Sequence, residues 1–156
     1  MDLQSTAMHG VGYRWTKQAF EVFHHPSLDA VPSQADPDPL FPTVKFPNPE
    51  EKGALDQSFM YADSVGATLI IANDPDADRL AVAERVVEQG PDVSRWYVFS
   101  GNELGSILGH WQIMRWKRSS DLPAALLASV VSSRMLKTIA LKEGMLYYDT
   151  LTGKVR

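Results

Sequence analysis

Apolar side chains along the chain alternate between helical spacings and short strand-like runs. After a brief apolar opening, His9-Gly10-Val11-Gly12 reads as a strand-to-helix turn, and Trp15, Ala19, Phe20 and Phe23 then recur at helical intervals. That spacing predicts a helix through residue 23 that covers one sheet face. Gly53 to Val65 carries Leu55, Phe59 and Ala62 on one helical face and leads into a strand over 67 to 72. A second strand is predicted over 80 to 87, then a polar turn at Gln89-Gly90-Pro91-Asp92 and a short strand from Trp96 to Phe99.

Ser100-Gly101-Asn102-Glu103 has the spacing of a capping box, in which the first side chain caps the backbone and the fourth reaches back, so a helix should begin there. Leu104, Ile107, Leu108, Trp111, Met114 and Trp116 make it strongly apolar, as expected of a helix packed on a sheet. Its basic end, Arg115 to Arg118, suits a helix C-terminus. Ala124 to Val131 reads as a strand, Ser133 to Glu143 as a helix stopped by Gly144, and Met145 to Leu151 as a last strand. Alternating strands and helices predict an α/β fold, a three-layer α/β/α sandwich. The strand at 80 to 87 follows its predecessor after a short loop and should pair antiparallel with it, so the sheet should be mixed and mostly parallel.

One segment breaks the alternation. Seven of the ten prolines fall between Pro26 and Pro49. Each lacks a backbone donor, which argues against regular structure, while Phe41, Val44 and Phe46 argue for a packed loop over a disordered one. The whole chain of 156 residues is long enough for one domain with a sizeable core, and 44% hydrophobic with 22% charged residues is ordinary for a globular protein. A formal charge of −4 with scattered basic residues argues against nucleic acid as a partner. There is no cysteine, so disulfides and thiolate metal sites are excluded. No apolar run approaches the about eighteen residues that cross a membrane, and the start lacks the features of a signal peptide, so the chain reads as cytoplasmic.

The chemistry concentrates in Asn73-Asp74-Pro75-Asp76-Ala77-Asp78-Arg79, set between the two apolar strands. Most acidic loops are solvated turns, but this one joins two buried strands, a favoured place for sites in α/β folds. Two carboxylates about 4 Å apart repel by roughly 4 kcal/mol at an effective dielectric near 20, and a divalent cation removes that repulsion. Hard oxygen ligands select Mg²⁺, Mn²⁺ or Ca²⁺, and Arg79 adds a fork suited to phosphate oxygens. An EF-hand needs glycine at the sixth and glutamate at the twelfth position; counted from Asp74 these are Arg79 and Arg85, so that register fails. The strand followed by Asp-x-Asp also resembles haloacid-dehalogenase-type phosphatases, with Asp74 as nucleophile and Asp76 as acid/base. Asp78 stands where that family usually has Thr or Val. The four histidines show no metal spacing, and His24 and His25 read as an exposed turn.

The run from Ala72 to Glu84 resembles the metal-binding loop of the α-D-phosphohexomutase superfamily. Its Asp-Pro-Asp-Ala-Asp-Arg form is similar to the phosphoglucomutase/phosphopentomutase and glucose 1,6-bisphosphate synthase branch. Met8-His9-Gly10-Val11-Gly12, Phe41-Pro42-Thr43-Val44, Pro47-Asn48-Pro49-Glu50-Glu51, Phe99-Ser100-Gly101-Asn102-Glu103-Leu104-Gly105 and Ile139-Ala140-Leu141-Lys142-Glu143-Gly144 resemble the same branch in order. The resemblance assigns residues 1–148 to the family's second domain and 149–156 to the start of its third. It implies that Asp74, Asp76 and Asp78 bind Mg²⁺, and that Asp78, Arg79 and Thr152 face a sugar phosphate. Lys154-Val155-Arg156 departs from the family's Phe-Lys-Trp at the end. Gly153-Lys154 is no nucleotide-binding loop, since the upstream glycine and following Ser or Thr are absent.

The implied reaction is isomerisation of glucose 1-phosphate and glucose 6-phosphate, or of pentose equivalents, through a bisphosphate in carbohydrate metabolism. The family's phosphate-carrying serine sits in a Ser-His-Asn-Pro type loop of its first domain, and no Ser-His-Asn sequence occurs in these 156 residues. The family's Arg-x-Ser-Gly-Thr loop is also missing. No catalytic residue is therefore assigned, and the isolated chain is expected to be inactive. The alternative from a different class is a truncated fragment or partner-binding isoform, associating through an apolar face that other domains normally cover.

Overall fold

A computed structural model describes residues 3–87, 94–120 and 122–152, so the turn expected at 89 to 92 and the segment Gly153 to Arg156 lie outside the described residues. The chain divides into two compact units, Met1–Ser100 and Gly101–Arg156. In the first, β1 (Leu3–Thr6) leads to α1 (Gly12–Val22), then β2 (Leu28–Ala30), a short 3-10 turn at Pro32–Gln34, and α2 (Asp56–Val65). The antiparallel run β3 (Leu69–Asn73), β4 (Leu80–Val87) and β5 (Ser94–Phe99) completes it. These strands form one sheet in the order β2-β1-β3-β4-β5. Its β1 pairs are parallel, and the β3–β4 and β4–β5 pairs antiparallel. The second unit holds α3 (Gly101–Ser119), β6 (Ala125–Ser129), α4 (Met135–Lys142) and β7 (Leu146–Thr150), with β6 and β7 parallel. The five-stranded sheet is thus mixed, with two parallel and two antiparallel pairings, and the separate two-stranded sheet is parallel. No helix among the described residues is long and apolar enough to cross a membrane.

Strand alternation explains the first core. Ile70 faces Ala83 and Ala72 faces Ala81 across the β3–β4 ladder, and all four are buried. Small alanines on β4 let α2 approach, with Leu55, Phe59 and Ala62 as the predicted contact face. Phe59 stacks on Trp96 of β5 at 5.8 Å between ring centres. Arg85, on the same face, reaches Asp63 of α2 at 2.6 Å. Gly66 ends α2 in the left-handed conformation, φ 73°, as a helix stop requires.

Three expectations are corrected. The face predicted for α1 is not the buried one: Trp15 and Phe23 are 62% and 73% exposed, and Phe20 is only partly covered. Helical spacing identifies an apolar face but not what lies against it. The proline-rich segment does contain regular structure, because β2 is an edge strand whose three residues precede Pro32 and pair with β1. The rest of that segment is packed as expected, with Val31, Gln34 and Val44 buried, although Phe46 is exposed. In the second unit Ile113 is the buried residue of α3, and Ile107, Leu108 and Trp111 are exposed, so core packing along the whole helix is not seen.

Candidate metal centre

The carboxylate loop is built on the β3–β4 connection. Asp74 and Pro75 occupy the first two positions of a turn closed by the Ala77 N–H, which donates to the Asp74 carbonyl at 3.0 Å. Both residue types suit those positions, Pro because its ring fixes φ. Ala77 sits at φ 60°, a region that costs a residue with a Cβ roughly 1–3 kcal/mol and persists only where neighbours hold it. Here they do. The Arg79 N–H donates to Asp74 Oδ1 at 2.9 Å, and Asn73 Nδ2 donates to the Arg79 carbonyl at 2.9 Å. From outside the loop, the Val11 N–H donates to the Pro75 carbonyl at 2.9 Å. Gly10 makes that approach possible, since a Cβ there would run into the Pro75 backbone.

The side chains divide by exposure. Asp74 is fully buried, whereas Asp76 and Asp78 are exposed, and one oxygen from each of the three lies within 4.8 Å of the others. Arg79 Nε stands 2.9 Å from Asp74 Oδ2 and 3.6 Å from Asp78 Oδ1, with its own side chain 51% exposed. Burial works to raise the Asp74 carboxyl, yet the Arg79 amide, the hydrogen bond with Asp76 and the Arg79 charge outweigh it and hold Asp74 below the ordinary range. Asp76 moves the other way, raised by that same hydrogen bond to Asp74 and then by the Asp78 charge. Of the two carboxyls, Asp74 is therefore the one that ionises first and Asp76 the one that keeps its proton to higher pH.

Whether a cation fits is decided by Asp74 Oδ2. It is buried and accepts no hydrogen bond among the described residues, although the Arg79 guanidinium lies beside it. Its charge is met by that ion pair alone, so the oxygen still has lone pairs for a divalent ion that Asp76 and Asp78 could share. The donors are all oxygen, the set preferred by Mg²⁺, Mn²⁺ and Ca²⁺. The burial of Asp74 also speaks against the phosphatase alternative, because a nucleophile must reach its substrate and this carboxylate is enclosed and engaged by Arg79.

Asp74, Asp76, Asp78 and Arg79 are thus brought together. Thr152 lies in the other unit, just past β7, and is exposed. Asn73, Gly10 and Val11 went unassigned in the sequence. The signal for the glycine was its place directly after β1, where a backbone must pass close to a neighbouring loop.

Residues 1–88, more than half of the 156, match the phosphoglucomutase/phosphomannomutase alpha/beta/alpha domain II family. The chain is 52% identical over 154 residues to the phosphopentomutase of Homo sapiens, covering 95% of this chain and 24% of that protein. It is 46% identical to the glucose 1,6-bisphosphate synthase of Homo sapiens, again over 95% of this chain and 24% of the other. The phosphoribomutase of Saccharomyces cerevisiae is 41% identical, with 25% of its length covered. The chain therefore spans about a quarter of the length of the curated relatives it matches. A solved phosphoglucomutase/phosphomannomutase family protein from Burkholderia thailandensis superposes with a TM-score of 0.72 at 20% identity, over 98% of this chain and 30% of that one. That likeness agrees with the three-layer α/β/α fold. The chain belongs to the phosphoglucomutase/phosphomannomutase family.

Proposed function

We propose that this chain supplies the divalent-cation site of a phosphosugar mutase, which moves a phosphoryl group within glucose phosphates or their pentose equivalents by way of a sugar bisphosphate. The observation that carries the reading is the buried Asp74 carboxylate, one oxygen of which meets only the Arg79 charge, grouped within 4.8 Å of oxygens of Asp76 and Asp78. Mg²⁺ is the cation we assign. When bound, it supplies Lewis-acid neutralisation of phosphoryl oxygens.

The chain's own residues position. Asp74 has its orientation fixed by the Arg79 amide, and the turn through Pro75 holds Asp76 on the same side of the loop. Arg79 is half exposed beside Asp74, and its planar fork suits the two oxygens of a sugar phosphate. Asp78 stands at the exposed rim beside it, where it would meet a sugar phosphate, and Thr152 is the further contact assigned to substrate. In isolation the chain binds the cation without turnover, because these residues include no phosphate-carrying serine loop.

A chimera tests the reading. Residues 3–152 replace the corresponding segment of the 52% identical human phosphopentomutase, and isomerisation of pentose phosphate is measured. Activity that falls by about 100-fold or more with Asp76→Asn is expected, the range of loss when charge stabilisation at a transferring group is removed. A folded chimera whose activity is indifferent to Asp76→Asn would sink the proposal.

A further inference from the structure

The turn between β1 and α1 carries a second, buried polar system that the site has not yet used. Met8 N–H donates to Thr6 Oγ1 at 3.0 Å, Thr6 Oγ1 to Gln34 Oε1 at 2.6 Å, and Gln34 Nε2 to Thr43 Oγ1 at 2.7 Å. Thr43 Oγ1 lies 2.7 Å from His9 Nε2. In the direction that uses each hydroxyl proton once, Thr43 donates and His9 accepts, so five residues form one relay. Thr6, Met8, His9 and Gln34 are all buried. The backbone adds to it: His9 N–H donates to the Gln34 carbonyl at 3.1 Å, and Asp38 N–H to the His9 carbonyl at 3.0 Å.

This system holds an unfavourable conformation. Met8 and His9 are consecutive residues with positive φ, 47° and 62°, and neither is glycine. Such residues persist where surroundings over-determine them. The strained pair has one immediate consequence along the chain. It turns the backbone so that Gly10 lies flush on Pro75 and the Val11 N–H meets the Pro75 carbonyl. Gly12 continues the contact, since a Cβ there would press on the Ala77 Cβ at 3.1 Å. Ala77 is itself at positive φ. Strain on one side of the contact thus faces strain on the other.

We propose that the Thr6–Gln34–Thr43–His9 relay is a template for the metal loop, with His9 and Thr43 as positioning residues that act through Gly10 and Pro75 on Asp74 and Asp76. The inference rests on the metal-site reading above, and its test separates the two. Outer partners that orient ligands typically change metal affinity by about 10- to 100-fold when removed.

His9→Ala, His9→Gln and Thr43→Val are each prepared in the 156-residue chain. Mn²⁺ dissociation constants are measured by electron paramagnetic resonance, and amide hydrogen exchange is followed in the metal-free chain at Ala77, Arg79 and, as a control on β4, Arg85. His9→Ala and Thr43→Val should weaken Mn²⁺ binding by roughly tenfold or more. They should also speed exchange at Ala77 and Arg79 while leaving Arg85 unchanged, and His9→Gln should restore part of both effects. Unchanged exchange at Ala77 and Arg79, or acceleration shared equally by Arg85, overturns the template role whatever happens to affinity. Unchanged affinity beside faster loop exchange overturns it too. Should His9→Ala fail to fold, Thr43→Val decides, since it keeps the shape and removes only the shared hydroxyl. If the unsubstituted chain binds no Mn²⁺ that Asp74→Asn abolishes, the metal reading fails by itself, and the exchange arm alone decides whether the relay orders the loop.

Discussion

Asp74 shows how much of the site depends on one residue's surroundings. Its neighbours Asp76 and Asp78 carry the same carboxyl group, yet they are exposed while Asp74 is enclosed and held by the Arg79 amide. The alternation of three aspartates in the sequence treats them as equals, because burial is decided by how the loop folds and not by residue type. Ala77 is the residue that bends the loop, at φ 60°. Replacing it by glycine removes strain of roughly 1–3 kcal/mol and adds about 0.5–1 kcal/mol of unfolded-chain entropy, so Ala77→Gly should stabilise the chain by about 1 kcal/mol. Urea unfolding measures this, and a loss of stability would show that the Cβ contact with the Gly12 turn outweighs the strain.

Between elements, the β3–loop–β4 hairpin was readable because short apolar runs flanked a loop too brief for a crossover, and the structure pairs Leu69 with Glu84 and Asn73 with Leu80 as that requires. The α2 face was readable for a similar reason, since Leu55, Phe59 and Ala62 meet a sheet from the same unit. Periodicity misled on α1 and α3, where the apolar face says nothing of its cover, and on β2, whose three residues are too few for a pattern. The relay through Thr6, Gln34 and Thr43 was invisible because its members lie far apart in sequence and are ordinary polar residues. In the second unit, Lys117 of α3 binds Glu143 at the end of α4 at 2.6 Å, and that hydrogen bond and charge hold the Glu143 carboxyl below its ordinary range. A depressed carboxyl stabilises the fold above its unfolded value, and that contribution is lost as pH falls through the folded value. Lys117→Met should return Glu143 to the ordinary range in a carboxyl chemical-shift titration. An unmoved midpoint would mean that the ion pair does not persist in solution, as many exposed pairs do not.

Across the whole molecule, the composition and the net charge of −4 point to no ligand. What narrowed the reading was a local loop set in an ordered series of family-like segments, and the match of residues 1–88 to domain II supports the family. The site's outer half, the strained β1–α1 turn beneath the loop, came only from the fold. The proposed function requires this loop to hold a divalent cation through Asp74, Asp76 and Asp78. Titration of the metal-free chain with Mn²⁺ by isothermal calorimetry, in two buffers of different ionisation enthalpy, tests it most directly. One saturable site is expected, with release of a proton at pH values where Asp76 still holds one, and binding weaker by about 10-fold or more in Asp74→Asn. Binding of equal strength in Asp74→Asn, or no saturable site in the unsubstituted chain, would contradict it.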